Sequence, residues 1–570
     1  MSYRENTANW QWKYFAAPEI PDVLENLNGF IDDTLELPDG RSIKGESFQF
    51  APSGMLDMYD IIPEKPALLA RTVLTADFTA EEGGTFFLGV AGDWTWSLRF
   101  NGEMVLDARR CANSEAPFSP TNHLQEITYQ AGRNQLVFEV FGGQTLTVAC
   151  KIMEDIPQLA MRYKPFISFP DAEDNAVSVI FTGNRKSPAA VDYRLQGTDA
   201  WTRVYDNLGG QARHDRAVHH IRLSGLQSSS VYEYRAVLLD DCRTLKEYHF
   251  DIDTFKTAPA KGDFRFTVSA DLQTPSARRR FLEDLIGRNN SFKPDFFAFC
   301  GDLYWTTDYD FAVMDEFIVP YREITENHLP LVMVRGNHEI YGKDSNRFFE
   351  YFTAPDPGRE GYYMFRWGDV CFIVLDFCDD HGWQAPPSTR QYHDFEPYIA
   401  AEAMWLKNAV NLPMCRDAKY RIVLAHGIPV GDAKDYMPSH VHQVIDPVFG
   451  GENPQVKIHL WLGGHIHRPT RSVPMKNACY CMCDITKLRD GNGLPHHEVM
   501  YNFPVIVTGG PSGSLSDNMQ FTSIDVEVTG KCLTVHSRDR YQKEFDCITI
   551  TPDGVVSEIS RSEEFCYYEY

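Results

Sequence analysis

The sequence predicts a multidomain, β-rich chain in which two N-terminal all-β sandwiches precede an α/β layered domain. Three observations carry this expectation. The first stretch alternates apolar and polar residues in short runs punctuated by Gly, Asn and Asp, and a second stretch repeats that texture at short, regular spacing. From residue 264 onward the strands become continuous apolar runs that alternate with helical segments. Period-two alternation marks strands with one wet face. Continuous apolar strands separated by helices mark a sheet covered on both faces. The 570 residues leave room for three or four domains at roughly 150 residues each.

Residues 1–157 form the first expected module. "ARTVLTADFTA", "GTFFLGVAG", "WTWSLRFNG" and "NQLVFEVFGG" are its strands. The stretch "GDWTWSLRFNGEMV" resembles jelly-roll sandwiches related to galactose-binding modules. Trp94 and Trp96 either fill the core of such a sandwich, the commoner fate of Trp on a period-two face, or stack on a sugar. Residues 163–257 form the second module. Its pattern of Leu223, Leu226, Tyr232 and Tyr234 resembles fibronectin type III modules. His219 and His220 there read as a solvated strand edge. "TAPAKGD", residues 257–263, reads as a linker, with Pro and small residues at a change of texture.

In the third region "FRFTVSAD" precedes "ARRRFLEDLIGR", whose Phe281, Leu282, Leu285 and Ile286 share one helical face. The strands "DFFAFCGD", "PLVMVRGNHE", "VCFIVLDF", "YRIVLAHG", "VKIHLWLGGHIH" and "FPVIVTGG" follow, with the helix "PYIAAEAMWLKNAV" among them. In layered sheets of this kind functional groups gather beyond the carboxyl ends of the strands. Five of these strand ends offer oxygen or nitrogen ligands: Asp271 and Gln273, then Asp302, then Asn337 and His338, then His426, then His465 and His467. Each alone is ordinary turn chemistry or a lone histidine. Their succession in strand order points to a shared site. A carboxylate on a tight Gly turn, Asp302, suits the bridge between two cations. Mixed oxygen and imidazole donors suit Zn, Mn or Fe better than Ca. Two divalent cations outweigh Asp271, Asp302 and one hydroxide, so a phosphate is attracted locally.

The series D-x-(H/Q), GD, GNH(E/D), a lone His after a strand and GHxH resembles the calcineurin-like metallophosphoesterases over about residues 262–545. The preceding module makes the chain similar to the purple acid phosphatase branch. The resemblance implies an α/β/β/α layered domain and a dinuclear hydrolase of phosphate esters in which a metal-bridging hydroxide attacks phosphorus in line. It implies one cation held by Asp271, Gln273, Asp302 and His467, and another held by Asp302, Asn337, His426 and His465. His338 would contact the phosphate or protonate the leaving oxygen. His440, in "MPSHVHQV" with His442, stands where the family's substrate-contacting histidines occur; a plain surface loop is the alternative.

Two positions depart from the branch pattern. Purple acid phosphatases carry GDxxY with a Tyr that binds ferric iron, whereas "GDLYW" places Trp305 there and Tyr304 one residue early. A one-residue shift at a strand end redirects the side chain, so a colourless enzyme is expected. The usual His of the first motif is Gln273, a weaker ligand that tunes that site toward Mn, Fe(II) or Mg, or only hydrogen-bonds a bound water.

Composition narrows the rest. A formal net charge of −25 disfavours nucleic acid and anionic membranes as partners. No apolar run approaches the roughly 20 residues of a membrane span. The start "MSYRENTANWQWKYF" has no leader pattern, and 13 cysteines lack framework spacing, so reduced thiols and a cytoplasmic location are expected. Cys479, Cys481 and Cys483 read as one face of a buried strand, His496 and His497 as a loop, and residues 546–570 as a tail. The expected activity is that of a phosphomonoesterase on a small phosphate ester or phosphorylated glycan, with two divalent ions of Mn, Fe, Zn or Mg. The rivals are a phosphodiesterase with the same site, and a carbohydrate-binding or adhesion protein with an idle phosphoesterase-like domain.

Overall fold

The computed structural model describes residues 10–16, 20, 29–62, 70–93, 95–109, 120, 123–142, 146–153, 159–168, 175–239, 247–273, 275–288, 291–307, 313–325, 329–352, 361–378, 394–429, 436–482, 500–511 and 519–569. Trp94, Cys483, His496 and His497 lie outside the described residues. The chain divides into two compact units. One is Met1–Gln158 with Asp308–Glu316, and the other is Leu159–Thr307 with Phe317–Tyr570.

In the first unit a six-stranded and a four-stranded antiparallel sheet share one core. Its longest pair, Ala70–Ala80 with Gly132–Gly142, runs in register from Ala80↔Gly132 to Ala70↔Gly142. Leu74, Ala76 and Phe78 alternate inward and meet Leu136, Phe138 and Val140. Trp96 is fully buried against His123 and Phe138, so it is a core residue here.

The second unit is built on two large sheets. A ten-stranded sheet holds the parallel strands Phe264–Ser269, Phe296–Cys300 and Leu331–Val334. An eight-stranded sheet holds the parallel strands Val370–Leu375, Tyr420–Ala425, Leu460–Gly463 and Val505–Val507. Phe266, Ala298 and Val332 of the first sheet pack on Phe372, Ile422 and Leu462 of the second. The opposite face of the second sheet, with Ile373, Val423 and Trp461, is covered by the helices Phe395–Ala409 and Tyr436–Phe449. Both faces of these strands are dry, which is why their sequence is apolar throughout.

Three expectations need correction. The segment 546–570 is no tail: Val556–Arg561 extends the ten-stranded sheet, and Cys566–Glu569 pairs with Ala478–Cys481 in the eight-stranded one. Its polar, exposed strands resemble a tail in composition because each lies at a sheet margin. The segment 163–257 is not set apart either. Its strands Met161–Ser168, Val177–Gly183 and Val218–Leu223 continue the ten-stranded sheet through Ser168 beside Leu331. Five of its other strands form a sheet that shares a core with them, and Asn207–Leu208 pairs with Gln211–Ala212 separately. Finally, His219 is buried rather than solvated. Its Nδ1 meets Asp206 Oδ2 at 2.9 Å and its ring packs on Phe181.

Candidate metal centre

The strands Phe264–Ser269, Phe296–Cys300, Tyr420–Ala425 and Leu460–Gly463 each end just before an expected ligand. The turns that follow are conformationally demanding. Asp271, Asp302, His465 and His467 adopt left-handed backbone angles, with φ of 58°, 57°, 75° and 55°. Such angles cost L-residues roughly 1–2 kcal/mol each and persist where surrounding contacts over-determine them. Here they turn the side chains back across the sheet ends. Gly301 is required beside Asp302: its φ is 85°, and a Cβ there would lie 2.7 Å from both Gly336 Cα and His426 Nδ1.

The side chains converge in two groups. In the first, His467 Nε2 lies 3.4 Å from Asp271 Oδ1. The Gln273 oxygen, its amide oriented so that the nitrogen donates to the Asp271 and Asp302 carbonyls at 3.1 and 3.2 Å, lies 3.0 Å from the same Nε2. In the second, His426 Nε2 lies 2.9 Å from Asn337 Oδ1 and 3.4 Å from Asp302 Oδ1, and His465 Nδ1 lies 3.2 Å from Asn337 Oδ1. One donor atom each from Asp271, Asp302 and His467 lies within 4.8 Å of the others. Asp302 therefore faces both groups.

The donor chemistry tests whether cations fit. His426 Nδ1 donates to the Cys300 carbonyl at 2.7 Å, and His467 Nδ1 donates to the Pro511 carbonyl at 2.9 Å. In the neutral imidazole each Nε2 then carries a lone pair. That lone pair faces other lone pairs, on Asn337 and Asp302 in one case and on Gln273 and Asp271 in the other. Unshared, these contacts repel. A cation shared by these donors would turn the repelling contacts into adjacent ligands. A backbone carbonyl holding the other ring nitrogen is also the usual outer support of a metal-binding His. The residues fit divalent transition metals.

Protons answer the same electrostatic demand. Burial pulls His426 down, but the Asp302 and Asp271 carboxylates outweigh it and raise its pKa to about 10. Burial likewise opposes Asp271 at His467, and the balance raises that imidazole to about 9. Burial opposes ionisation of Asp302 as well, yet His426, His338 and their hydrogen bonds hold it below the ordinary carboxylate range.

His338 sits at the rim. Its amide donates to Asp302 Oδ1 at 2.9 Å, its Nδ1 lies 2.9 Å from the Trp305 carbonyl, and its Nε2 is 3.9 Å from Asp302 Oδ2. Tyr304 is fully buried, whereas Trp305 packs on the His338 ring. His440 is buried on the helix Tyr436–Phe449 and does not lie on a surface loop.

Two supports carry no local sequence signal. Glu339 accepts the amides of Asp302, Leu303 and Gly336 at 2.8, 2.9 and 2.7 Å, tying the Asp302 turn to the Asn337 turn. Burial and the Asp302 charge raise its pKa to about 7. Arg335, just before the second turn, pairs with buried Asp376 at 2.7 Å and lies over the rings of Phe349, Phe395 and Tyr398. The "RGNHE" sequence showed both residues but not their partners.

Residues 264–469 match the family model for calcineurin-like phosphoesterases. The chain carries a calcineurin-like phosphoesterase domain. The match ends at the GHxH turn and encloses every converging side chain named above. Purple acid phosphatase 15 of Arabidopsis thaliana is 26% identical over 187 residues, which is 28% of this chain and 34% of that protein. The aligned stretch thus spans about a third of that relative's length. A purple acid phosphatase from yellow lupin (Lupinus luteus) seeds shares the fold at a TM-score of 0.50 and 12% identity, covering 90% of this chain and 98% of that one. Among the described residues no helix is long and apolar enough to cross a membrane.

Proposed function

We propose that this chain hydrolyses phosphate monoesters at a centre of two divalent cations. Asp271, Gln273, Asp302 and His467 hold one cation, Asp302, Asn337, His426 and His465 hold the other, and Asp302 bridges. One observation carries the reading: two imidazole Nε2 atoms, each with its Nδ1 committed to a carbonyl, face amide and carboxylate oxygens. When bound, the cations supply Lewis acidity and a nucleophile at neutral pH.

The protein's own groups do the rest. Asn337 and Gln273 are neutral ligands, so the centre keeps a positive excess that draws a phosphate despite the acidic chain. Glu339 fixes both turns, which keeps the ligands from relaxing apart. The Trp305 carbonyl accepts from His338 Nδ1 and steers Nε2 toward the site; in the imidazolium form, with both ring nitrogens protonated, Nε2 passes its proton to the leaving oxygen. Neither Tyr304 nor Trp305 is a metal ligand in this reading, so the protein is colourless, and the cations are drawn from Mn, Fe, Zn and Mg. The β-rich first unit recruits a glycan-bearing ester in this reading. His440 is given no role.

The test is a panel of aryl phosphate monoesters and diesters assayed with each of Mn, Fe, Zn and Mg, beside chelator-treated protein. Cation-dependent monoester turnover that exceeds diester turnover is expected. Absence of hydrolysis with every cation contradicts the reading.

A further inference from the structure

The metal chemistry leaves the side chain of Trp305, at the rim, unused. It is a large apolar residue that is 45% exposed, although it sits between buried Tyr304 and buried Thr307. Its ring centroid lies 4.9 Å from that of His338 at an interplanar angle of 76°. The Tyr341 ring also lies 5.3 Å from that of His338, at 69°. The backbone carbonyl of Trp305 accepts from His338 Nδ1 at 2.9 Å, which fixes the imidazole relative to the indole. The proton donor and the open aromatic surface are therefore one rigid pair.

We infer that Trp305 is a substrate-positioning residue that selects phosphate esters with a planar aromatic leaving group. The inference rests on the proposed phosphoesterase reading. A leaving oxygen must come within about 3 Å of His338 Nε2 to receive its proton. The group attached to that oxygen then lies beside the indole, whose centroid is only 4.9 Å from the imidazole. An exposed Trp offers a broad π-face that an aryl ring covers by offset stacking, whereas a short alkyl chain covers little of it. The contact exists before and during bond cleavage, so it favours binding over the chemical step. Phosphorus–oxygen cleavage frees the aryl oxygen with the bonding electron pair, which takes the His338 Nε2 proton to leave as phenol; water supplies the oxygen that phosphate gains and the proton that restores His338.

The experiment compares Trp305→Ala and Trp305→Phe with the wild-type protein on phenyl phosphate and propyl phosphate, with metal content measured on each sample. The variant-to-wild-type ratio is read for each ester, which cancels the better leaving ability of phenol. The inference expects Trp305→Ala to lower kcat/KM for phenyl phosphate at least tenfold more than for propyl phosphate, mainly through KM. Trp305→Phe should recover most of that difference, and metal content should hold. Equal losses on the two esters, or a loss confined to kcat, overturn the role of Trp305 while leaving the phosphoesterase reading intact. If metal-loaded wild-type protein cleaves neither ester, the phosphoesterase reading fails and this inference fails with it.

Discussion

His338 Nε2 and Asp302 Oδ2 lie 3.9 Å apart; in the proposed function the two residues have different tasks, and substitution should separate them. His338→Ala should lower kcat roughly 10²–10⁴-fold, the range for loss of a proton donor, while metal content stays near wild type. Asp302→Asn should lower both activity and metal content. A His338→Ala protein that turns over normally but has lost metal would mean the roles are misassigned. The protonated state of the ligand pair gives a second test at this scale. His426 is raised to about 10 and His467 to about 9, so both carry protons at pH 7 until a cation displaces them. Adding a divalent cation to chelator-treated protein at pH 7 in a pH-stat should release about two protons per chain. Uptake without proton release contradicts the assignment of these imidazoles as ligands.

The proposed ligands were readable because each follows an apolar strand, and those after Gly301, Gly336 and Gly464 sit in short Gly-containing turns, which are local. Their supports were not. Cys300 lies 126 positions from His426 and Pro511 lies 44 from His467, so only the folded chain pairs those carbonyls with the imidazoles. Glu339 was visible as a letter, but its three amide partners lie on two different turns.

At the scale of the element, the alternating and continuous apolar patterns located the strands because burial on one or two faces leaves a direct periodic trace. Edge strands leave little trace. Val556–Arg561 is almost wholly exposed, and Ser168 joins the parallel strands of the ten-stranded sheet through its pairing with Leu331. The terminal strand Cys566–Glu569 is anchored by Phe565, which is 1% exposed and packs with Cys479, Cys481, Met519 and Phe545. Phe565→Ala should therefore cost about 3–5 kcal/mol of unfolding free energy, the range for a buried Phe truncated in a core. Denaturant melts read this directly, and a change within about 0.5 kcal/mol would return the segment to the status of a surface tail.

For the molecule as a whole, acid stability has an identifiable contributor away from the metal centre. His459 is buried, accepts from the Arg421 amide at 3.1 Å and donates to the Pro552 carbonyl at 2.9 Å, so it joins the eight-stranded sheet to the C-terminal segment as a neutral imidazole. Burial lowers its pKa to about 4 from an ordinary 6.5. As pH falls, the unfolded chain takes up this proton first. Stability is thus full above about 6.5 and is lost between there and about 4, by on the order of 3 kcal/mol. Melts in chelator across pH 4–7 should show a shallower pH slope in His459→Asn than in wild type, and parallel slopes would refute this contribution.

The proposed hydrolysis requires cations held between the two groups of side chains. The decisive measurement is the metal content of protein reconstituted with Mn or Zn and freed of excess ion. About two ions per chain are expected for the wild type, falling toward one in His467→Ala and toward one in His426→Ala. Native, folded protein that binds no ion, or the same content in all three proteins, contradicts the dinuclear centre.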